Sequence, residues 1–243
     1  MSKTQSSKPA LEICVESLEG VQVARDAGAN RVELCASFLE GGVTPSHGLI
    51  ALALRQGIPI HVLVRPRAGD FVYSGLEIEV MLEDVRAVKR LGANGVVIGA
   101  LNANLGLDLE VMKALVTAAR PLEVTFHRAF DSVTDPFETL EQLIRLGVNR
   151  ILTSGQQATA ELGIPLLKKL ILDARDRISI MPGAGINASN AKTIWQETGA
   201  GELHFSAFEK LETPELKVNV GQLETRMVTT SSKIKAVLRS IKQ

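Results

Sequence analysis

The sequence predicts a single-domain α/β fold, a (β/α)8 barrel, and three observations predict it. The stretches "DAGANRVEL", "RLGANGVVI", "RLGVNRILT" and "ETGAGELHF" repeat one grammar: a helical end, a glycine, a small or apolar residue, then a short strand. Such repetition marks an architecture of like units. Between these repeats lie "ALEICV", "IPIHVLV", "PLEVTF" and "RISIMP". They bring the expected strands to eight, each separated from the next by helix, which is the pattern of a parallel sheet with right-handed crossovers that closes on itself. A chain of 243 residues also suits one such domain. An open doubly wound sheet is the competing architecture, and no G-x-G-x-x-G follows the first strand to support its dinucleotide-binding form.

The elements follow in chain order. Residues 1–9 read as a flexible polar tail and residues 10–243 as the barrel domain. Strand one is "ALEICV" and strand two lies in "RVELC", after Gly28; strand three is "PIHVLVR". "LEIEVMLEDVRAVKRLG" has apolar residues at three- and four-residue spacing, so it reads as a helix ending at Gly92 before strand four, "GVVI". Strand five is "LEVTF". The helix "DPFETLEQLIRLG" then ends at Gly147 before strand six, "RILT". Strand seven is "RISIMP", and Gly199 precedes strand eight, "ELHFSA". Glycine at each of these four helix ends suits the left-handed conformation that stops a helix. Residues 207–228 show no clear period and read as a long loop, with a final helix near 229–242.

Composition excludes several classes. Apolar residues make up 45% and charged residues 22%, an ordinary globular balance. Twenty-seven basic residues match 27 acidic ones, so no global field favours nucleic acid or an anionic membrane. No apolar run approaches the roughly 18 residues of a membrane span. "MSKTQSSKPA" has no apolar signal-peptide core and the two cysteines make a disulfide framework improbable, so the expected compartment is the reducing cytoplasm.

Side chains alternate across a strand, and the helix-facing set of a barrel is apolar. Leu11, Ile13 and Val15 therefore face the helices and Glu12 and Cys14 face inward; Glu33 and Cys35 follow on strand two. Strand three sends His61, Leu63 and Arg65 inward, strand five Glu123, Thr125 and His127, and strand eight His204 and Ser206. A structural barrel would stack Val, Ile and Leu there. Buried charge is costly unless paired, so Glu12, Glu33, Arg65, His127 and His204 point either to a site or to an internal salt-bridge network.

The candidate chemistry follows from position. His127 ends strand five and reads as a general acid or base, with Glu12 or Glu33 orienting it and Arg65 nearby. Arg128 stands beside it, and Asp131 is placed to cap the turn or hold an arginine. In "RPRAGDFVYSG", Arg65 and Arg67 could clamp a carboxylate or phosphate, with Asp70 and Tyr73 in the same loop. Gly155, Gly183, Gly185 and Ser206 follow strands six to eight, where barrels commonly hold phosphate. Together these suggest a lyase- or isomerase-type enzyme acting on a small anionic or phosphorylated metabolite. Cys14 and Cys35 sit at matching heights on adjacent strands; two thiolates could hold Cu(I), with His204 or Met181 as a third ligand, although buried cysteine is commonly core filling.

The motifs "ANRVELCAS", "EGGVTPSHG", "VRPRAGDFVYS", "VTFHRAFD", "RILTSGQ" and "MPGAGI" together resemble the CutC family, described as copper homeostasis proteins, over roughly residues 10–206. The resemblance implies a TIM barrel and a cytoplasmic, homo-oligomeric protein that binds copper as Cu(I). It also implies that Cys14 and Cys35 are the first candidates for metal ligands.

Overall fold

A computed structural model describes residues 8–211 and 226–242. Eight parallel strands run in the order β1 (Ala10–Val15), β2 (Arg31–Leu34), β3 (Ile60–Leu63), β4 (Gly95–Ile98), β5 (Glu123–Phe126), β6 (Arg150–Thr153), β7 (Ser179–Pro182) and β8 (Glu202–Ser206). Each pairs with its sequence neighbour up to β7, and β8 pairs with β1. β7 and β8 lie side by side and bring the sheet round into the (β/α)8 barrel.

Seven helices connect the strands on the outside: α1 (Leu18–Ala27), α2 (His47–Ala53), α3 (Gly75–Leu91), α4 (Leu109–Ala119), α5 (Pro136–Leu146), α6 (Ile164–Ala174) and α7 (Ala191–Thr198). The sequence starts and stops them locally. Ser74 and Glu77 form a reciprocal capping box on α3, and Asp135 caps α5 ahead of Pro136. Gly28, Gly92, Gly147 and Gly199 end their helices with φ of 93°, 85°, 75° and 74°, the left-handed region in which a Cβ is penalised. Among the described residues no helix is long and apolar enough to cross a membrane.

The main core is the shell between sheet and helices, built from residues such as Ile13, Val62, Val64, Phe126 and Leu203. A smaller apolar cluster of Cys14, Cys35, Leu63 and Val97, with Phe38 against it, is separate. It occupies the barrel interior, as strand parity requires.

The segment read as a loop over 207–228 is partly strand. Phe208–Leu211 (β9) and Arg226–Thr229 (β10) pair antiparallel, with Phe208 opposite Thr229. Hairpin pairing across a long connection leaves no periodic signal in one short strand, which is why the sequence pattern missed it. Residues 212–225 and most of the polar N-terminal tail lie outside the described residues. The last helix, α8 (Ser231–Lys242), buries Ile234, Val237 and Ile241 and packs against α1 and α7.

Candidate functional site at the barrel mouth

The barrel interior divides into a charged floor and an open mouth. Arg31, Glu123, Arg150 and Glu202 are the first residues of β2, β5, β6 and β8, so their side chains meet at the N-terminal end. Arg31 pairs with Glu12 and, at 2.7 Å, with Glu202. Arg150 also binds Glu202, and reaches Glu123 at 3.3 Å and Thr125 Oγ1 at 3.2 Å. His61 lies 3.6 Å from Glu123. Interior arginines and carboxylates thus neutralise one another, which is what makes their burial tolerable. The sequence reading missed Arg31, Arg150 and Glu202, although the parity that turned Glu33 and His204 inward also applies two residues earlier, at Arg31 and Glu202.

At the other end, the C-terminal strand ends enclose a cavity of about 690 Å3 whose lining includes Cys14, Glu33, Cys35, Arg65, His127, Arg128, Gly185, His204 and Ser206. Phe208 of β9 and Lys233 of α8 also line it, so the C-terminal segment completes the mouth. A cavity of this size suits a small molecule.

The structure regroups the expected site residues. Glu12 and Glu33 do not stand beside His127. Glu12 Oε1 lies 2.7 Å from His204 Nδ1, and Glu33 Oε2 lies 3.6 Å from His204 Nε2. Adjacency of β1 and β8 decides this, because Glu12 pairs in register with His204. Burial alone would push the His204 pKa down, but Glu33 and Glu12 outweigh it and raise it above the ordinary histidine value, which favours the protonated ring. Burial pushes the Glu12 carboxyl up, yet the His204 hydrogen bond and the charges of His204 and Arg31 bring it well below the carboxylate range. Burial and the neighbouring Glu12 charge keep Glu33 above its ordinary value.

His127 takes another role. Its Nδ1 accepts a hydrogen bond from the Ala129 N–H at 3.1 Å, and its ring stacks at a tilt on Phe71 with centroids 4.8 Å apart. Burial, then the Arg65 charge, lowers its pKa to about 3. The ring is therefore neutral near pH 7, and the proton sits on Nε2 because Nδ1 is an acceptor. Gly99 makes room for it: a Cβ there would fall 2.5 Å from His127 Cε1. Gly99→Ala is expected to rotate the imidazole and cost about 1–3 kcal/mol from overpacking. Urea denaturation and the imidazole NMR signals would check this; an unmoved ring would count against the packing argument.

The loop residues separate as well. Arg65 is buried and lines the mouth, whereas Arg67 lies outside the lining, with Glu77 at 2.6 Å and Asp70 at 3.1 Å. Its guanidinium also lies over the Tyr73 ring. The capping box holds Glu77 at the start of α3 and so draws Arg67 away, and the two-arginine clamp is not assembled. Asp70 and Tyr73 stay with Arg67. Asp131 both accepts from Arg128 Nε at 2.8 Å and binds Thr153 Oγ1 at 2.5 Å and the Ser154 N–H at 2.9 Å.

Gly185 lines the cavity, but Gly155 and Gly183 serve packing instead. A Cβ on Gly155 would fall 2.5 Å from the Gly163 carbonyl, and one on Gly183 would fall 2.4 Å from Leu152 Cδ1.

The cysteines come together as the strand reading expects. Both are free thiols, and their Sγ atoms are 3.6 Å apart. The hydrogen bond to Cys35, burial and the nearby Glu33 raise the Cys14 pKa well above 9.0. One ligand atom from each of Cys14, Glu33 and His204 lies within 4.8 Å of the others. Met181 is not part of this group, since its sulfur lies 3.6 Å from Arg31 on the floor.

Known proteins share this arrangement of chain and fold. The sequence pattern of the CutC family matches residues 9–209. A CutC family protein from Bacteroides fragilis is 50% identical over 242 residues, covering 95% of this chain and 96% of that one. The mouse copper homeostasis protein cutC homolog is 48% identical over 198 residues, 81% of this chain and 73% of its own. The crystal structure of CutC from Streptococcus agalactiae superposes with a TM-score of 0.78 at 36% identity, covering 81% of this chain and 98% of that one. The chain belongs to the CutC family.

Proposed function

We propose that this protein is a cytoplasmic copper-handling protein that takes Cu(I) as its cargo between Cys14 and Cys35. The observation that carries the reading is the pair of buried thiols 3.6 Å apart on a cavity wall, with the Glu33 carboxylate and the His204 imidazole around Cys14. Two sulfurs and one imidazole are a soft donor set, which suits Cu(I) better than Mg2+ or Ca2+. Free thiols also fit a reducing compartment. Cys14 is the first ligand, Cys35 the second and His204 the third. The positive charge of Cu(I) replaces, beside Glu33, the one lost when His204 gives up its proton.

Protons oppose the metal here. The raised pKa of Cys14 holds it as a thiol and that of His204 favours the protonated ring, so Cu(I) competes with protons at both groups. Each proton released makes the apparent affinity rise about tenfold per pH unit in the range where that group is protonated. Anaerobic competition with a Cu(I) chelator should give equimolar binding that tightens with pH and is lost in the Cys14→Ser, Cys35→Ser variant. Binding of equal strength in the variant would sink the reading.

A further inference from the structure

Arg65 is a buried cation with no anion paired to it among the described residues. Its guanidinium donates, among the described residues, only to carbonyls, those of Gly69 at 2.7 Å, Gly42 at 2.8 Å and Glu40 at 3.3 Å, and its Nε–H has no partner there. Among the described residues no carboxylate lies within salt-bridge distance of it, in contrast to the interior arginines Arg31 and Arg150. His127 presents a second orphan, since its Nε2 is buried with no partner among the described residues while Nδ1 is used by Ala129. The Phe71 ring touches both, 5.0 Å from Arg65 Cζ and 4.8 Å between centroids from His127. Both residues are 5% exposed and both line the mouth cavity.

Two unmatched buried N–H donors and an uncompensated charge, on two residues that line one cavity and share the Phe71 ring, are costly, and an anionic oxygen group admitted between them would meet that need. Arg128 and Lys233 add positive charge to the same lining, although Asp131 and Glu209 offset part of it. Among the described residues the one acidic side chain in the lining, Glu33, faces His204. We propose that the mouth cavity binds a small molecule by a phosphate or carboxylate group held between Arg65 Nε and His127 Nε2. The rest of the molecule extends toward Gly185 and Ser206. This site is independent of the copper reading, since it uses neither thiol.

The test uses the full chain with inorganic phosphate and acetate as probes, each at ionic strength matched with sodium chloride. Thermal shift and the His127 imidazole NMR signals are followed. We expect at least one probe to give a saturable rise in Tm together with movement of the Nε2 signal. Binding should weaken about tenfold or more in Arg65→Met and in His127→Asn, each of which removes a charge-assisted or buried donor. His127→Asn keeps an acceptor for the Ala129 N–H, so it carries the test should Arg65→Met fail to fold. Arg67→Gln, outside the cavity, should respond like the wild type. Preference for phosphate or for acetate identifies the group recognised. Responses to both probes no larger than to chloride, or an undiminished response in folded His127→Asn, would overturn the proposal.

Discussion

Acidifying this protein from pH 6.5 to pH 4 is expected to lower its unfolding free energy by about 1.4 kcal/mol per pH unit for each of two histidines. His61 and His127 are buried as neutral rings. Burial lowers His61 to about 4, helped by Arg31 and Arg150 and opposed by Glu12 and Glu123. Burial and the Arg65 charge lower His127 to about 3. The ion pair of His61 with Glu123 at 3.6 Å would favour the charged ring, but Glu123 is half exposed and burial wins.

Both groups keep their protons off in the folded chain at pH values where the unfolded chain takes them up below 6.5. Stability therefore falls with pH through that window, until the folded values are reached. His204 acts in the opposite sense. Its folded pKa is raised, so its contribution is fully present below 6.5 and is lost as pH rises through the folded value. Glu12, with its folded pKa lowered, contributes above 4.5 and loses that contribution as pH falls further. Stability should thus peak near the ordinary histidine pKa. Urea unfolding at pH 8, 6.5, 5 and 4 measures this, and His127→Asn should flatten the acid limb by one histidine's share. A level profile between pH 6.5 and 4 would contradict the assignment of neutral buried rings.

Removing Arg31 is expected to cost about 3–5 kcal/mol, the range for breaking one side of a buried ion pair. Arg31→Met strips the guanidinium from Glu12, whose side chain is fully buried, and from Glu202, which is 18% exposed. Glu12 keeps His204, and Glu202 keeps Arg150, which limits the loss. Arg31→Lys should recover only part of it, because one ammonium cannot span two carboxylates as a guanidinium does. The double variant Glu12→Gln, Arg31→Met should lose less than the sum of its single changes, since neither charge is then left buried alone. Additive losses in chemical denaturation would mean that the two groups act separately.

Much of this could be read without coordinates. Leu11, Ile13 and Val15 against Glu12 and Cys14 gave the facing of β1, and Gly28, Gly92, Gly147 and Gly199 marked four helix ends. The inward thiols followed from the same alternation, and their Sγ atoms do meet. That Glu12 and Glu33 would meet His204 rather than His127 could not be read in this way. Glu12 meets His204 because the sheet closes β8 onto β1, 192 residues away in the chain. Arg67 was equally illegible as a loop cation, since Glu77 draws it off only once α3 is folded and capped.

The sequence by itself determined the eight-strand barrel, its helix ends and most of the side chains that point inward, because period, parity and capping act within a few residues of one element. Tertiary structure alone decided which inward groups touch. Arg31 and Arg150 became the floor with Glu12, Glu123 and Glu202, His204 came to lie between Glu12 and Glu33, and Arg65 and His127 were left with donors that no described residue accepts. Those outcomes depend on strand register and closure across the whole chain, and the charge state of a buried group follows from the neighbours that closure supplies.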